Sequence, residues 1–117
     1  MRQLLISVAL AILVPFAAHA AVLTAGDAVH HVGQRATVCG VVASAHYAGR
    51  ARGQPTFLDL GHAYPRADLA AVVWGEDRAK FGELTDLAGQ RVCVSGTIAL
   101  YRGTPEMVLR QASQLTR

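Results

Sequence analysis

Apolar and polar residues alternate along two stretches of the chain, residues 34–44 and 90–100. In the first stretch, Val38 belongs to an apolar row with the residues two positions away, while Thr37 and Cys39 belong to a polar row. A period of two is typical of a β-strand with one buried face. Shorter apolar runs add three more strands. The predicted strands cover residues 34–44, 56–60, 69–74, 90–100 and 106–111.

Two segments break the strand pattern. Residues 76–88, EDRAKFGELTDLA, place apolar side chains at mixed three- and four-residue spacings and carry acidic residues at their start. This pattern predicts one short, imperfect helix that is interrupted near Gly82. Residues 24–32 predict one or two helical turns, capped by Thr24 and ended by Gly33. The predicted order is therefore three strands, a helix and two strands.

The sequence GQRATVCG in the first long strand nearly repeats as GQRVCVSG in the second. If these strands are antiparallel neighbours, with residues 33–43 against 99–89, then Cys39 faces Cys93. Each cysteine lies in the polar row of its strand, so the two share a face and come within disulfide reach. We therefore predict a Cys39–Cys93 disulfide that clasps the two strands.

Residues 1–20, MRQLLISVALAILVPFAAHA, are typical of a secretory signal peptide. Arg2 provides a positive start, residues 4–14 form the apolar run, and Ala-His-Ala at 18–20 matches a small-x-small cleavage pattern. The prediction is a signal peptide followed by one domain at 21–117, with no membrane span after cleavage, in a periplasmic or secreted protein. A retained N-terminal anchor is the alternative.

Two cysteines in an exported chain most simply form one disulfide. Two free buried thiols or a shared metal ion are the alternatives, although no CxxC or HxxxH spacing accompanies the cysteines. His30 and His31 are adjacent, so on a helix their side chains diverge and do not clasp one ion. No metal and no other cofactor is predicted.

The charge distribution favours an anionic partner without demanding one. The chain has 11 Lys and Arg against 8 Asp and Glu, and a formal net charge of +3. Residues 28–58 contain no acidic residue but include Arg35, Arg50 and Arg52. The acids elsewhere are dispersed and form no paired-carboxylate motif for metal-assisted hydrolysis. We therefore predict no catalytic residue and a protein that is not an enzyme.

The ordered motifs VCGVVAS, PTFLDLG, AAVVWG and GQRVCVSGTIALYRGTPEMVL, with the arginine- and glycine-rich loop after the first, resemble the OB-fold. The resemblance covers nearly all of residues 33–115. It implies an all-β domain with one short helix, a five-stranded Greek-key barrel with the helix between strands three and four. It is closest in kind to the anticodon- and single-strand-binding branch, and to small exported bacterial OB-fold proteins described as DNA-binding.

In that family the ligand lies across strands two and three, between the first hairpin loop and the loop joining strands four and five. Carried over by position, the resemblance implies that nucleic acid contacts Tyr47, Arg50, Arg52, Phe57, Trp74, Tyr101 and Arg102. Guanidinium groups bind phosphates and aromatic rings stack on unpaired bases. Plainer interpretations stay open: Trp74 and Phe57 also suit a core, and Arg50 and Arg52 also suit a solvated loop.

The leading expectation is an exported, non-enzymatic module that binds single-stranded nucleic acid, DNA rather than RNA, with low sequence specificity. The alternative is a periplasmic envelope or stress protein that binds an oligosaccharide, another small ligand or a protein partner. A third expectation is an accessory domain that assists a separately encoded nuclease. The sequence does not predict the oligomeric state.

Overall fold

The computed structural model describes residues 2–13 and 21–117. Residues 2–13 have no regular secondary structure and are exposed. The predicted cleavage pattern at 18–20 lies outside the described residues. Within the described ranges, no helix is long and apolar enough to cross a membrane.

Short β-strands and single 3-10 turns make up the folded part of the chain. The strands are β1 Ala21–Thr24, β2 Arg35–Tyr47, β3 Thr56–Leu60, β4 Leu69–Val73, β5 Arg91–Thr97, β6 Ala99–Tyr101, β7 Thr104–Val108 and β8 Leu115–Thr116. The 3-10 helices are η1 Ala25–His30, η2 Gly75–Lys80, η3 Thr85–Leu87 and η4 Ala112–Gln114. The β-rich class expected from the alternation is therefore confirmed.

The strands form one open, mixed sheet, so the predicted five-stranded closed OB barrel is wrong. The order is β6-β7-β4-β3-β2-β5-β8, with β1 beside β2, and the β1–β2 and β4–β7 pairs are parallel. The strand predicted at 90–100 is split. Its ladder with β2 ends where Thr97 faces Arg35, and Ile98 leaves the ladder before β6 pairs with β7.

The single helix predicted between strands three and four is also wrong. Two separate 3-10 segments, η2 and η3, occupy that part of the chain. Gly82 adopts a φ of +70° between them, a conformation that ends a right-handed helix. The three- and four-residue spacings in this segment reflect anchoring of Phe81, Leu84 and Leu87 in the core rather than one continuous helical face.

The predicted pairing of the two cysteine strands is confirmed. β2 and β5 are antiparallel with Cys39 opposite Cys93, and the two residues form a disulfide. The residues of the polar row share one face as expected, because the hydroxyls of Thr37 and Ser95 hydrogen-bond at 2.8 Å next to the disulfide. The bridge closes a sequence separation of 54 residues, which ties the start of the sheet to its second half.

A β-bulge divides β2 into two halves. The register with β3 shifts between Val42 and Ser44, so Ala43 is an extra residue without a partner. A bulge reverses the inward and outward alternation of the residues that follow it. Even-numbered residues therefore point inward before the bulge, as Val42 does, and outward after it, as His46 does. The change of phase places polar side chains on the outer face beside β3.

The core lies between the inner face of the sheet, the 3-10 segments η1 and η3, and Phe81 after η2. Its buried apolar side chains come from every long strand. They are Ala25, Ala28, Ala36, Val38, Val42, Leu58, Leu60, Leu69, Ala71, Val73, Phe81, Leu84, Leu87, Val92, Val94, Ile98, Met107 and Leu109. Burying a leucine or valine side chain contributes about 1.5–3 kcal/mol, so this set accounts for the main stabilisation of the fold.

Candidate functional site

The loop between β2 and β3 carries two exposed arginines. Arg50 and Arg52 lie at its tip, and both are solvent-exposed. Backbone hydrogen bonds from Ala48 to Pro55 and from Gln54 to Ala51 hold the loop closed. Gly53 adopts a φ of +77°, which permits the tight reversal before β3. Within the described residues, neither arginine forms an ion pair.

Tyr47 stands at the base of this loop with a cation stacked on its ring. The guanidinium carbon of Arg78, from η2, lies 3.7 Å from the centroid of the Tyr47 ring. The ring also packs on the backbone of Gly49, where a Cβ would lie only 2.9 Å from a ring carbon. A groove of about 380 Å³ runs beside the pair and is lined in part by Glu83.

Arg78 was not among the residues predicted for the site. The sequence predicts a helix for its segment, and a helical pattern does not indicate which side chain reaches a distant loop. The only signal was an unpaired arginine among acidic residues, which is common on protein surfaces.

Trp74 joins the same cluster from the end of β4. The six-membered part of its indole ring packs on Gly53, where a Cβ would approach within 2.9 Å. The amide of Gly75 donates to the Gly53 carbonyl at 2.9 Å, which fixes β4 to the loop. Trp74 is half-buried, and a shallow pocket of about 440 Å³ opens beside it with Glu76 in its lining. The predicted loop residues and Trp74 therefore do lie together.

Phe57 lies instead on the outer face of the sheet. Its ring stacks on His46 of β2 at a centroid distance of 4.9 Å and an interplanar angle of 25°. Tyr64, from the loop after β3, meets the other side of His46 edge-on at 5.2 Å. The exposed ring of this row belongs to Tyr64, which is 69% exposed. Sequence reasoning missed Tyr64 because its segment, GHAYPRAD, predicts only a turn.

A buried carboxylate organises this outer face. Asp59 is 2% exposed, and its Oδ2 accepts a hydrogen bond from the Ser44 hydroxyl at 2.7 Å. Nδ1 of His46 lies 3.4 Å from the same oxygen. The Ser44 oxygen also accepts a hydrogen bond from the amide of Tyr64 at 3.0 Å. The Ser44 hydroxyl thus donates to the carboxylate of Asp59 and accepts from the backbone of the loop after β3. Neither hydrogen bond is to the His46 imidazole, as activation of a serine nucleophile would require.

A second carboxyl group shares the outer face. Ala70 of β4 pairs with Asp59 on one side and with Glu106 of β7 on the other. Desolvation by burial raises the pKa of Glu106 above its ordinary value of 4.5. In the described part of the chain, no group of three or more His, Cys, Asp or Glu side chains is arranged to hold a metal ion. The outer face therefore combines aromatic rings with two acids, in contrast to the arginine-bearing loop.

Tyr101 and Arg102 occupy the turn between β6 and β7. Both are exposed, Arg102 adopts a φ of +49°, and its guanidinium carbon lies 5.3 Å from the Tyr101 ring centroid. The register places this turn at the Leu69 end of β4, whereas the β2–β3 loop lies at the Val73 end. The five residues of β4 span about 13 Å. The structure therefore does not join the two loops into one cluster.

No model of a known protein family matches the chain, and no curated protein resembles it significantly in sequence. The resemblance to exported OB-fold proteins stays a prediction.

Proposed function

We propose that the protein is an exported, non-enzymatic module that binds single-stranded nucleic acid with low sequence specificity. The observation that carries the proposal is the cluster at one end of the sheet. Arg50 and Arg52, which form no ion pair with any described residue, project from a loop whose base holds the Tyr47–Arg78 stack and Trp74. Below, this set is called the hairpin cluster.

The chemistry of the hairpin cluster suits an unpaired strand. Arginine binds phosphate oxygens in a bidentate manner, and aromatic rings accept any base on their faces. The ring faces of Tyr47 and Trp74 are partly covered by Arg78 and Gly53, so phosphate contacts dominate the expected affinity. Glu76 and Glu83 line the adjoining grooves and oppose a polyanion. The expected binding is modest and strongly dependent on salt.

A fluorescence-anisotropy titration tests the proposal. The folded, oxidised protein is titrated onto a labelled oligothymidylate at several salt concentrations. We expect binding at low salt that weakens as salt rises. The double variant R50Q/R52Q removes two phosphate contacts, so the slope of log K against log salt becomes shallower by about 1.4. The matched control R66Q removes an exposed charge from a different loop and leaves the slope unchanged.

Two outcomes would reject the proposal. One is the absence of binding by the wild-type protein at low salt. The other is an R50Q/R52Q variant that binds with the affinity and salt slope of the wild type. A duplex of the same length is the competitor that tests strand preference. It shares the phosphate contacts but offers no open base faces, so any preference for the single strand measures base stacking on Tyr47 and Trp74.

The outer face supports a second candidate function, recognition of an oligosaccharide or another hydroxylated ligand. Phe57, His46 and Tyr64 provide apolar ring surface, and the carboxyl group of Glu106 lies on the same face, across β4 from the buried Asp59. Carboxyl groups accept hydrogen bonds from hydroxyls but repel phosphates. The charge-reversing variant R50E/R52E separates the two functions. It abolishes binding of a polyanion, whereas binding of a neutral chitooligosaccharide to the outer face persists.

Export is proposed together with this function. Disulfides form and persist in oxidising compartments, and the Cys39–Cys93 bond agrees with such a location. Fractionation of cells that express the chain, with and without residues 1–20, tests the periplasmic or secreted assignment. Full-length protein that stays in the cytoplasm with both thiols reduced would contradict it.

A further inference from the structure

A polar groove of about 630 Å³ opens beside the point where β5 leaves β2. It is separate from the residues of the hairpin cluster and has an ordinary volume for a small-ligand site. Its walls come from the ends of β2, β5 and β7 and from η4. The lining residues are Arg35, Gly96, Thr97, Ala99, Val108, Arg110, Gln111, Ser113 and Gln114.

The split of the strand at Ile98 creates the groove. Ile98 is fully buried, and its amide donates to the Gln34 carbonyl at 2.9 Å while its carbonyl accepts from Gly33 at 2.7 Å. The chain then turns away to pair with β7 as β6. Gly96 and Thr97 line the groove before this point, and Ala99 lines it after.

Gln114 forms a fixed wall of this groove. Its Oε1 accepts from the amides of Arg110 at 2.7 Å and Gln111 at 3.0 Å. Its Nε2 donates to the carbonyls of Ser95 at 2.9 Å and Val108 at 3.3 Å. The amide group is thereby fully used within the fold. It holds η4 against β5 and β7 and leaves ligand binding to the other side chains.

Of the remaining polar side chains of the groove, two are cationic, and three, Thr97, Gln111 and Ser113, are neutral groups that can donate hydrogen bonds. Arg35 and Arg110 are both exposed, and within the described residues neither guanidinium forms an ion pair or a hydrogen bond. The hydroxyls of Thr97 and Ser113 are likewise without partners among the described hydrogen bonds. None of the nine lining residues is acidic.

Glu106 is the nearest acid by register. It pairs with Ala99 and precedes Val108 by two residues, but it does not line the groove.

We propose that this groove binds a phosphoryl group between Arg35 and Arg110. The two guanidiniums have only hydrogen-bond donors and the two hydroxyls can each donate one more, which suits the acceptor oxygens of a phosphate dianion or a phosphodiester. The phosphoryl group belongs either to a free phosphate compound or to the backbone of a nucleic-acid strand. The site itself does not rest on the proposed function, because its residues are not those of the hairpin cluster.

Titration of ¹⁵N-labelled, oxidised protein with inorganic phosphate tests the groove directly. We expect chemical-shift changes centred on Thr97 and Ser113. The double variant R35Q/R110Q removes both charge-assisted contacts and weakens the affinity at least about tenfold. The matched control is R91Q, because Arg91 is exposed and lies on the same face of β5 as Thr97 but does not line the groove. We expect R91Q to keep the wild-type affinity for phosphate.

Three results would overturn the proposal: no shifts in the groove, shifts centred elsewhere, or equal losses in R35Q/R110Q and R91Q. The dispersion of the amide spectrum reports whether each variant is folded. If R35Q/R110Q fails to fold, R35K/R110K answers the same question. Lysine keeps the charges but loses the bidentate geometry, so it should retain part of the affinity if the groove is the site.

An oligothymidylate titration of the same variants identifies the source of the phosphoryl group. If the groove follows a strand, R35Q/R110Q weakens oligonucleotide binding as well as phosphate binding. If it holds a free phosphate compound, only phosphate binding is lost. R50Q/R52Q distinguishes failure of the groove proposal from failure of the proposed function. It changes only the hairpin cluster, so it should leave the affinity for inorganic phosphate unchanged.

Discussion

The two halves of β2 show how one strand carries two different roles. Before the bulge, the polar residues of the outer row are paired with their equivalents on β5: Thr37 with Ser95, and Cys39 with Cys93. After the bulge, the polar residues of the outer row contact β3 instead of β5, and the Ser44 hydroxyl donates to the buried carboxylate of Asp59.

The polar side chains of the two halves of β2 connect different parts of the fold. In the first half they join two strands that are already paired, so they stabilise the sheet. In the second half they hold a loop across the sheet and leave aromatic rings and charges at the surface. A single extra residue at Ala43 separates the two behaviours, because it reverses which side chains point outward.

Removal of the disulfide should have the largest effect on this comparison. The pair C39A/C93A releases a sequence separation of 54 residues, and the chain-entropy estimate for such a loop is about 4 kcal/mol of unfolding free energy. Urea unfolding of the oxidised wild type and the variant measures the loss. Wild-type protein reduced with a thiol should unfold like the variant. A loss below about 1 kcal/mol would mean that the first half of β2 does not depend on the bridge.

The two hydroxyl contacts offer a matched test of the halves. Ser44→Ala removes a hydrogen bond to a charged, buried carboxylate and should cost about 1.5–3 kcal/mol. Thr37→Val keeps the shape of the side chain but removes the hydrogen bond between two neutral hydroxyls, Thr37 and Ser95. It should lower the free energy of unfolding by about 0.5–1.5 kcal/mol. Only Ser44→Ala should also speed hydrogen exchange at the Tyr64 amide. Equal costs for the two variants would contradict the distinction between the halves.

Substitution of Gly53 sharpens the description of the loop that follows the second half. Gly53→Ala and Gly89→Ala both place a side chain at positive φ, which costs about 1–2 kcal/mol. Only at Gly53 would the new Cβ meet Trp74, at 2.9 Å, whereas the space beside Gly89 is open. The single tryptophan of the chain makes its fluorescence a direct reporter. We expect a shifted emission spectrum for Gly53→Ala and an unchanged one for Gly89→Ala.

The smallest expected effect concerns pH and the outer face. Burial raises the folded-state pKa of Glu106, so the folded protein holds this proton more tightly than the unfolded chain. The contribution of Glu106 to stability is therefore greatest at acidic pH and falls as pH rises from its ordinary pKa through the raised one. Glu106→Gln should flatten this part of the stability profile in urea unfolding. A variant that loses stability at neutral pH relative to the wild type would contradict the sign.

The sequence predicts the first half of β2 better than the second. Alternation shows which side chains share a face, and the repeat around Cys39 and Cys93 shows which strands pair, so the register and the disulfide follow. The bulge leaves no signal, because Ala43 is small and apolar and fits either face. The sequence therefore predicts that the residues after it continue one pattern, and it does not predict the outer row of Ser44 and His46.

The alternation of apolar and polar residues also does not predict whether the sheet closes into a barrel. Alternation continues through Val94, Gly96 and Ile98, so it predicts one long strand where the chain changes partner. The pattern shows which face is buried, but it does not show whether the last strand returns to the first. Phe81 and Leu84 had spacings that fit a helix, and the tertiary anchoring of each side chain decided the local structure instead.

The candidate site depended on contacts between distant segments, which sequence spacing does not reveal. Arg50 and Arg52 were found because an acid-free loop is visible as composition. Arg78 and Tyr64 were missed because each acts through a residue more than ten positions away, Tyr47 in one case and His46 in the other.

The sulfur bridge also bears on how the molecule survives proteolysis. Arg50 and Arg52 offer a trypsin-like protease two exposed targets, and both lie inside the segment that Cys39 and Cys93 enclose. A cut there would yield two fragments that remain covalently joined. We expect the nicked protein to remain folded after cleavage, and the two fragments to separate only when a reductant cleaves the disulfide.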